Sequence, residues 1–275
     1  QSLVQKYRSI ESLLKKVEEV VAATNGGMSP QLQGYYHFWE KRIFNAITVM
    51  IVNSLATFLA MVQAPECTPF CHVKVTLNGK DLVVTPSDTD LCRLLTNLVK
   101  NLVESAKLFV RWMRGTCLEC EPVKVHEDED DFVFSFYQDM SQNQHVVKLM
   151  FTLNQNIHKV FNFMAKYLES WLSYDKKYKL WNPKRKQALE KLLDKSPGFV
   201  FFDAALARYE SLADTAKSQP PEKDIGFLRI DCTAVADGIG EQAEAWMRDY
   251  GSILHQISKV HLDRELARMA QFEKD

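Results

Sequence analysis

The residues whose types and spacing could support chemistry are two pairs of cysteines. Three residues separate Cys67 from Cys71, which His72 follows directly, and two residues separate Cys117 from Cys120. Two such pairs could supply the four ligands of a tetrahedral zinc site. Both pairs lie in predicted connecting segments, where reduced thiols in loops are the more ordinary interpretation. A zinc site at these four cysteines therefore stays a secondary hypothesis.

Motifs for nucleotide binding and for hydrolysis do not occur in the sequence. It contains neither G-x-x-x-x-G-K-[ST] nor G-x-G-x-x-G after a strand, and neither H-E-x-x-H nor G-x-S-x-G. Such motifs supply the phosphate-binding loops, metal ligands and nucleophiles of the common enzyme classes. His37, His145 and His158 fall on predicted helices, where a core-edge or surface position is the usual explanation. No catalytic residue and no cofactor are predicted.

A cluster of basic residues mixed with aromatic ones is the strongest candidate for a binding surface. Tyr174, Tyr178 and Trp181 are interleaved with the six cations Lys176, Lys177, Lys179, Lys184, Arg185 and Lys186. Such mixtures can bind single-stranded nucleic acid through phosphate contacts and base stacking. They can also form a helix–helix corner in which the aromatic rings are anchors and the lysines extend outward. The second interpretation is favoured here. If the cluster is a partner surface, an acidic protein is favoured over nucleic acid, and no nucleic acid is predicted.

The overall charge agrees with that choice. The chain has 34 Lys and Arg against 35 Asp and Glu, a formal net charge of −1, so it has no general attraction for nucleic acid or acidic lipid.

The apolar run Ile43–Val62 contains Asn45 and Asn53 and follows Glu40, Lys41 and Arg42. It is interpreted as a buried bundle helix, and no membrane partner is predicted.

Long helices are the elements that must position these residues. The chain contains 10 Gly and 9 Pro among 275 residues, which favours long elements over a many-turned sheet. Apolar residues recur at three and four positions from Val146 to Leu172, which predicts a helix; with its flanking turns it would have roughly thirty residues or more and a length of about 50 Å at 1.5 Å per residue. Ser141 and Gln144 have the spacing of a capping box and are predicted to start it. Trp171 and Trp181 are predicted to form an aromatic corner at its end.

A β-hairpin is the clearest local signal. Val73–Leu77 alternates, Asn78 and Gly79 predict a two-residue type I′ turn, and Leu82–Val84 continues outward. A hairpin alone is only marginally stable and needs a further strand or a helix against it. The alternation of Phe132, Phe134 and Phe136 predicts that third strand.

The predicted fold is mainly α, made of consecutive elongated helical bundles with a small antiparallel hairpin or three-stranded sheet inserted. Four segments are expected: a helical hairpin at 1–66, the β-hairpin, a helix and a third strand at 67–136, a long-helix bundle at 137–219, and the start of another bundle at 220–275. Because Gln1 begins without an initiator Met and inside a helical pattern, a segment of a longer polypeptide is expected.

Several stretches are typical of one protein family: YYHFWEKRIFNAIT (Tyr35–Thr48), KVTLNGKDLVVTPS (Lys74–Ser87), VESAKLFVRWMRGTC (Val103–Cys117), FVFSFYQDMSQN (Phe132–Asn143) and the long helix leading to Tyr167–Trp181. They resemble axonemal dynein heavy chains, in the tail or stem region ahead of the linker. The resemblance covers most of the chain, more firmly before about residue 200.

The resemblance implies a stem of helical bundles that carries force between the ATPase ring and its cargo. It implies dynein intermediate and light chains and neighbouring heavy chains as partners, the microtubule doublet indirectly, and the cytoplasm, cytoskeleton and ciliary axoneme as location. No catalytic residue can be carried over, because the ATP-site motifs of the family are absent here. A generic helical adaptor unrelated to motors is the alternative, and an enzyme is the third.

Overall fold

The fold consists mainly of helices. The computed structural model describes residues 3–25, 30–64, 68–113, 118, 134–195 and 197–272. In this part of the chain the elements are α1 (Leu3–Asn25), α2 (Pro30–Gln63), β1 (Cys71–Asn78), β2 (Asp81–Thr85), α3 (Asp88–Glu104), α4 (Tyr137–Gln142), α5 (Gln144–Tyr178), α6 (Arg185–Lys195), α7 (Phe199–Ser218), β3 (Glu222–Ile225), β4 (Leu228–Asp231) and α8 (Thr233–Phe272). The predicted class, mainly α with a small sheet, is confirmed.

The chain forms two compact units. Unit 1 contains Gln1–Cys67 and Thr89–Lys159, and unit 2 contains Thr68–Asp88 and Val160–Asp275. The chain therefore crosses from one unit to the other three times. The last crossing, from Lys159 to Val160, lies inside the continuous helix α5.

The sheet of unit 2 has four strands in the order β2-β1-β4-β3. β1 pairs antiparallel with β2, as the hairpin prediction requires, but its other neighbour is β4, in parallel register from Cys71↔Leu228 to Lys74↔Asp231. β3 and β4 form a second antiparallel hairpin. The stability that an isolated hairpin lacks therefore comes from strands more than 140 residues later in the chain.

The predicted third strand at Phe132–Phe136 is wrong. Phe132 lies outside the described residues, Ser135 makes one isolated antiparallel bridge with Val110, and Phe136 lies in the turn that leads into α4. Phe134 and Phe136 are nevertheless buried. Their alternation reflects burial beside the Val110 segment and not membership of the sheet.

The turn of the first hairpin is displaced by one residue from its predicted position. Asn78 is the last residue of β1 and pairs with Asp81, so the two loop residues are Gly79 and Lys80. Gly79 has φ 63°, whereas Lys80 is not among the residues with positive φ. A positive φ at the first loop residue alone is the pattern of a type II′ turn, and it requires glycine there.

Two glycine-to-alanine substitutions are expected to have opposite effects on stability. Gly79→Ala should lower the free energy of unfolding by about 1–2 kcal/mol, because a Cβ at φ 63° is strained although nothing lies within 4 Å of it. Gly34→Ala, inside α2 with equally open surroundings, should raise it by about 0.5–1 kcal/mol. Urea denaturation of both variants measures the difference. Equal effects in the same direction would contradict the turn assignment.

Helix α5 begins at a different cap from the predicted one. Asn143 Oδ1 accepts hydrogen bonds from the backbone N–H groups of His145 and Val146, at 3.1 and 3.2 Å. This is the N-cap arrangement, since it satisfies donors of the first turn that have no partner inside the helix. Ser141 instead donates to the carbonyl of Gln138 within α4. The predicted capping box is therefore wrong, although the helix and its apolar stripe are present.

Among the described residues one helix, α2, is long and apolar enough to cross a membrane by length and composition. Its buried residues follow one stripe, from Tyr36 through Phe44, Ile47, Ile51 and Leu55. Glu40 lies on the same stripe and is fully buried. A stripe with a buried, paired carboxylate is the pattern of a helix that packs along one face in a folded unit, and the absence of a membrane partner stays a prediction.

Three charged side chains form the polar centre of unit 1, here called the ion cluster: Arg111, Glu40 and Asp139. Arg111 donates from Nη2 to Glu40 Oε2 at 2.7 Å and from Nη1 to Asp139 Oδ2 at 3.1 Å. All three side chains have no exposed surface. Because a buried charge is tolerated only when it is paired, each member depends on the others.

The second oxygen of each carboxylate in the ion cluster is used as well. Glu40 Oε1 accepts from the backbone N–H groups of Trp112 and Met113, at 2.6 and 3.0 Å. Asp139 Oδ1 accepts from Leu118 N at 2.7 Å. The cluster therefore attaches the chain on either side of residues 114–117 to helices α2 and α4.

The zinc hypothesis falls largely outside the described residues, since Cys67, Cys117 and Cys120 lie there. Cys71 is the first residue of β1 and not part of a connecting segment, and its thiol is free. Burial raises the pKa of Cys71, which favours the protonated thiol over the metal-binding thiolate. Cys232 is fully buried, and burial raises its pKa to about 11. It behaves as a small apolar residue.

Candidate partner surface

The predicted basic cluster lies where α5 ends and the chain turns into α6. Lys179 has φ 53° and its N–H donates to the carbonyl of Asp175 at 2.7 Å, which ends the helix in the left-handed conformation. Asp175 Oδ1 then accepts from Trp181 N at 3.1 Å. Asp175 therefore fixes the direction of the turn, and the basic residues on both sides of it share one region of unit 2.

Five of the six predicted cations are exposed: Lys176, Lys177, Lys179, Lys184 and Lys186. Within the described part of the chain, the ion pairs do not include any of these five. The sixth, Arg185, differs, because its Nη2 lies 2.6 Å from Asp249 Oδ2 and its guanidinium is 4.5 Å from the Trp246 ring. The lysines are thus available to a partner, whereas Arg185 joins α6 to α8.

The sequence did not indicate that α7 and α8 belong to this surface. Tyr209 and Trp246 are stacked at 5.8 Å with an interplanar angle of 8°, and Tyr250 stacks on Trp246 at 5.8 Å. Arg208 donates to the Lys177 carbonyl at 2.8 Å, and Tyr209 donates to the Tyr178 carbonyl at 3.3 Å. The last carbonyls of α5, which have no partner inside the helix, are therefore satisfied by α7.

A cavity of about 300 Å³ opens between these elements and is called here the aromatic cavity. Its lining combines aromatic and aliphatic walls with a cationic edge: Lys177, Tyr178, Lys179, Asn182, Ala188, Leu189, Leu192, Arg208, Tyr209, Trp246 and Tyr250. Burial raises the pKa values of Tyr209 and Tyr250, so both hydroxyls stay neutral near pH 7. The cavity can hold apolar groups beside an anion, and this set of residues offers no arrangement for acid–base or nucleophilic chemistry.

The two tryptophans of the predicted corner occupy different environments. Trp171 is buried and contacts Tyr167 edge-on at 6.4 Å and Tyr174 at 6.0 Å. Tyr174 in turn donates to Gln219 Oε1 at 3.0 Å. Trp181 is half-buried and lines a separate, more polar cavity with Leu77 and Gly238. Trp171 is thus a core residue, and Trp181 lies at the surface of the turn.

Comparison with known proteins identifies relatives of one kind. The chain is 36% identical over 281 residues to the dynein-1-alpha heavy chain of the flagellar inner arm I1 complex of Chlamydomonas reinhardtii, an alignment that covers 99% of this chain. It is 32% identical over 260 residues to dynein axonemal heavy chain 10 of Homo sapiens, covering 94% of this chain. In both cases the match spans only 6% of the relative's length. No protein-family model matches the chain.

Proposed function

Because this chain is homologous to a segment of axonemal dynein heavy chains, as its sequence predicted, we propose that it is a non-catalytic part of the stem of such a motor. Its location is the cytoskeleton of the ciliary and flagellar axoneme, where these relatives occur. In this proposal the segment transmits force between the ATPase ring and the cargo during ciliary and flagellar movement. It also contributes to assembly with intermediate and light chains and with neighbouring heavy chains.

The continuity of α5 carries this proposal. The helix supplies the buried residues Leu153 and Ile157 to unit 1 and the buried residues Met164, Leu168 and Trp171 to unit 2. Tension applied to one unit therefore reaches the other through hydrogen-bonded helix as well as through the crossings at residues 67–68 and 88–89. A hydrogen-bonded helix resists extension better than a flexible linker does.

Breaking α5 at the crossing tests force transmission. Lys159→Pro in the full-length heavy chain removes one helix hydrogen bond and adds a steric clash, at a cost of about 3 kcal/mol or more. We expect slower sliding of axonemal doublets with ATP hydrolysis retained, and Lys159→Ala, at the same exposed position, should leave sliding unchanged. Normal sliding by fully assembled Lys159→Pro arms would refute the proposal.

The non-catalytic part of the proposal has a simple test of its own. The 275-residue chain, purified alone, should hydrolyse no ATP above the rate of a buffer blank. A steady turnover that follows the chain through gel filtration would identify an enzyme instead.

A further inference from the structure

We propose that the aromatic cavity and the lysines at its mouth bind an acidic protein segment that inserts one apolar side chain. The inference deepens the assembly role proposed above and is independent of force transmission. A chain that fails to bind such a segment could still transmit tension through α5, so the two proposals can fail separately.

The size of the cavity favours a single side chain as its ligand over a whole cofactor. A volume of about 300 Å³ is at the lower limit of pockets that hold drug-sized ligands. Ala188, Leu189 and Leu192 contribute aliphatic surface to the lining from α6, and Tyr209 and Trp246 contribute the exposed parts of their rings from α7 and α8. One aromatic or branched apolar side chain would bury its surface against this lining, which favours association.

The charges at the mouth select an acidic partner. Lys177, Lys179 and Arg208 belong to the lining itself, and Lys176 is beside them in sequence. Arg208 is held in place by its bond to the Lys177 carbonyl and by its position 4.9 Å from the Tyr178 ring. Because the chain as a whole has a net charge of −1, this is a local excess of positive charge. Such an excess attracts carboxylates of a partner and orients their approach.

The aromatic residues disfavour single-stranded nucleic acid as the ligand. Binding of bases requires exposed ring faces on which they can stack. Here Tyr209 and Trp246 are only 6% and 4% exposed and are stacked on each other. With so little ring face exposed, insertion of one side chain of an acidic protein segment is favoured over the stacking of bases.

Fluorescence anisotropy with a synthetic peptide tests the proposal on the 275-residue chain. The probe has a central phenylalanine flanked on each side by three glutamates and carries a fluorophore at one end. We expect binding that weakens as salt is added, since exposed ion pairs are screened. Glutamine in place of glutamate, or alanine in place of phenylalanine, should each weaken binding by about tenfold or more. Equal binding of all three peptides would overturn the proposal.

Charge reversal on the protein locates the site. The double variant Lys177→Glu and Lys179→Glu should weaken binding of the probe by about tenfold or more, because two attractive charges become repulsive. Lys148→Glu with Lys259→Glu makes the same change in net charge at two exposed helical positions that do not line the cavity, and it should bind the probe nearly as the parent does. If both double variants weaken binding equally, the attraction is unspecific and the proposal is wrong.

A variant that fills the cavity tests whether an inserted side chain contributes to binding in addition to charge. Ala188 is an exposed α6 residue that lines the cavity, so Ala188→Phe can fill it without disturbing the core. We expect this variant to lose the preference for the phenylalanine peptide over the alanine peptide while it keeps the parent unfolding midpoint. An unchanged preference, or tighter binding of a thymidine oligonucleotide than of the peptide at equal salt, would overturn the proposal.

Discussion

Replacing Arg111 with methionine is expected to lower the free energy of unfolding of this chain by about 3–5 kcal/mol, since removing one partner of a buried ion pair leaves the remaining charge uncompensated. The Arg111 side chain is fully buried and is the cationic partner of Glu40 and Asp139, both fully buried. Its guanidinium also lies 5.5 Å from the Phe136 ring, so the loss includes packing as well as charge. Urea denaturation followed by circular dichroism measures the change.

Two control variants test whether the expected loss of stability comes from the burial of the ion pairs or from the loss of any ion pair. Lys107→Met removes an ion pair of similar length, 2.9 Å to Glu104, in which the lysine is 52% exposed. It should cost far less than Arg111→Met, because water already solvates both charges of an exposed pair. The triple variant Arg111→Met, Glu40→Gln, Asp139→Asn should recover part of the lost stability, because both amide oxygens can still accept the backbone N–H bonds while the buried charges are gone. If Arg111→Met costs no more than Lys107→Met, the ion cluster is not formed.

Replacing Trp171 with alanine is expected to cost about 3–5 kcal/mol, the range for a large aromatic residue removed from a core. Trp171 is 2% exposed and is the largest of the fully buried side chains in the described part of the chain. The cavity left behind would remove the ring contacts with Tyr167 and Tyr174. The unfolding midpoint in urea, read from tryptophan fluorescence and circular dichroism, should fall markedly.

Two further variants provide the comparison for Trp171→Ala. Trp171→Phe keeps most of the ring volume and should cost clearly less than Trp171→Ala. Trp181→Ala removes an equally large side chain from a half-buried position and should also cost less, because less apolar surface returns to water. If Trp171→Ala and Trp181→Ala shift the midpoint equally, Trp171 is not the core residue described here.

The sequence predicted elements better than it predicted their ends. The helical stripe from Val146 onward identified α5, whose burial follows that stripe through Leu153 and Ile157. The start was placed at Ser141, whereas the side chain that caps the helix belongs to Asn143. Both are good capping residues, and only the position at which the chain breaks between α4 and α5 decides which one caps. The Asn-Gly pair likewise located a turn but not its register.

The sequence indicated only some of the residues that form the candidate surface. Lys176 to Lys186 are close together along the chain, so their charge could be recognised directly. Arg208, Tyr209, Trp246 and Tyr250 complete the cavity from two helices far along the chain. Each of these four looks like an ordinary residue of its helix, and no local pattern distinguishes it.

The sequence by itself determined the features that depend on neighbouring residues: the helical periods, the hairpin Cys71–Thr85 and the basic cluster. It also carried the family resemblance. Tertiary structure alone decided the long-range pairings. β1 takes β4 as its parallel neighbour, and Arg111 pairs with a carboxylate 71 residues before it in Glu40 and with another 28 residues after it in Asp139. Periodicity and turn chemistry act over a few residues, whereas the partner of a strand or of a buried charge depends on which distant surfaces the whole fold brings together.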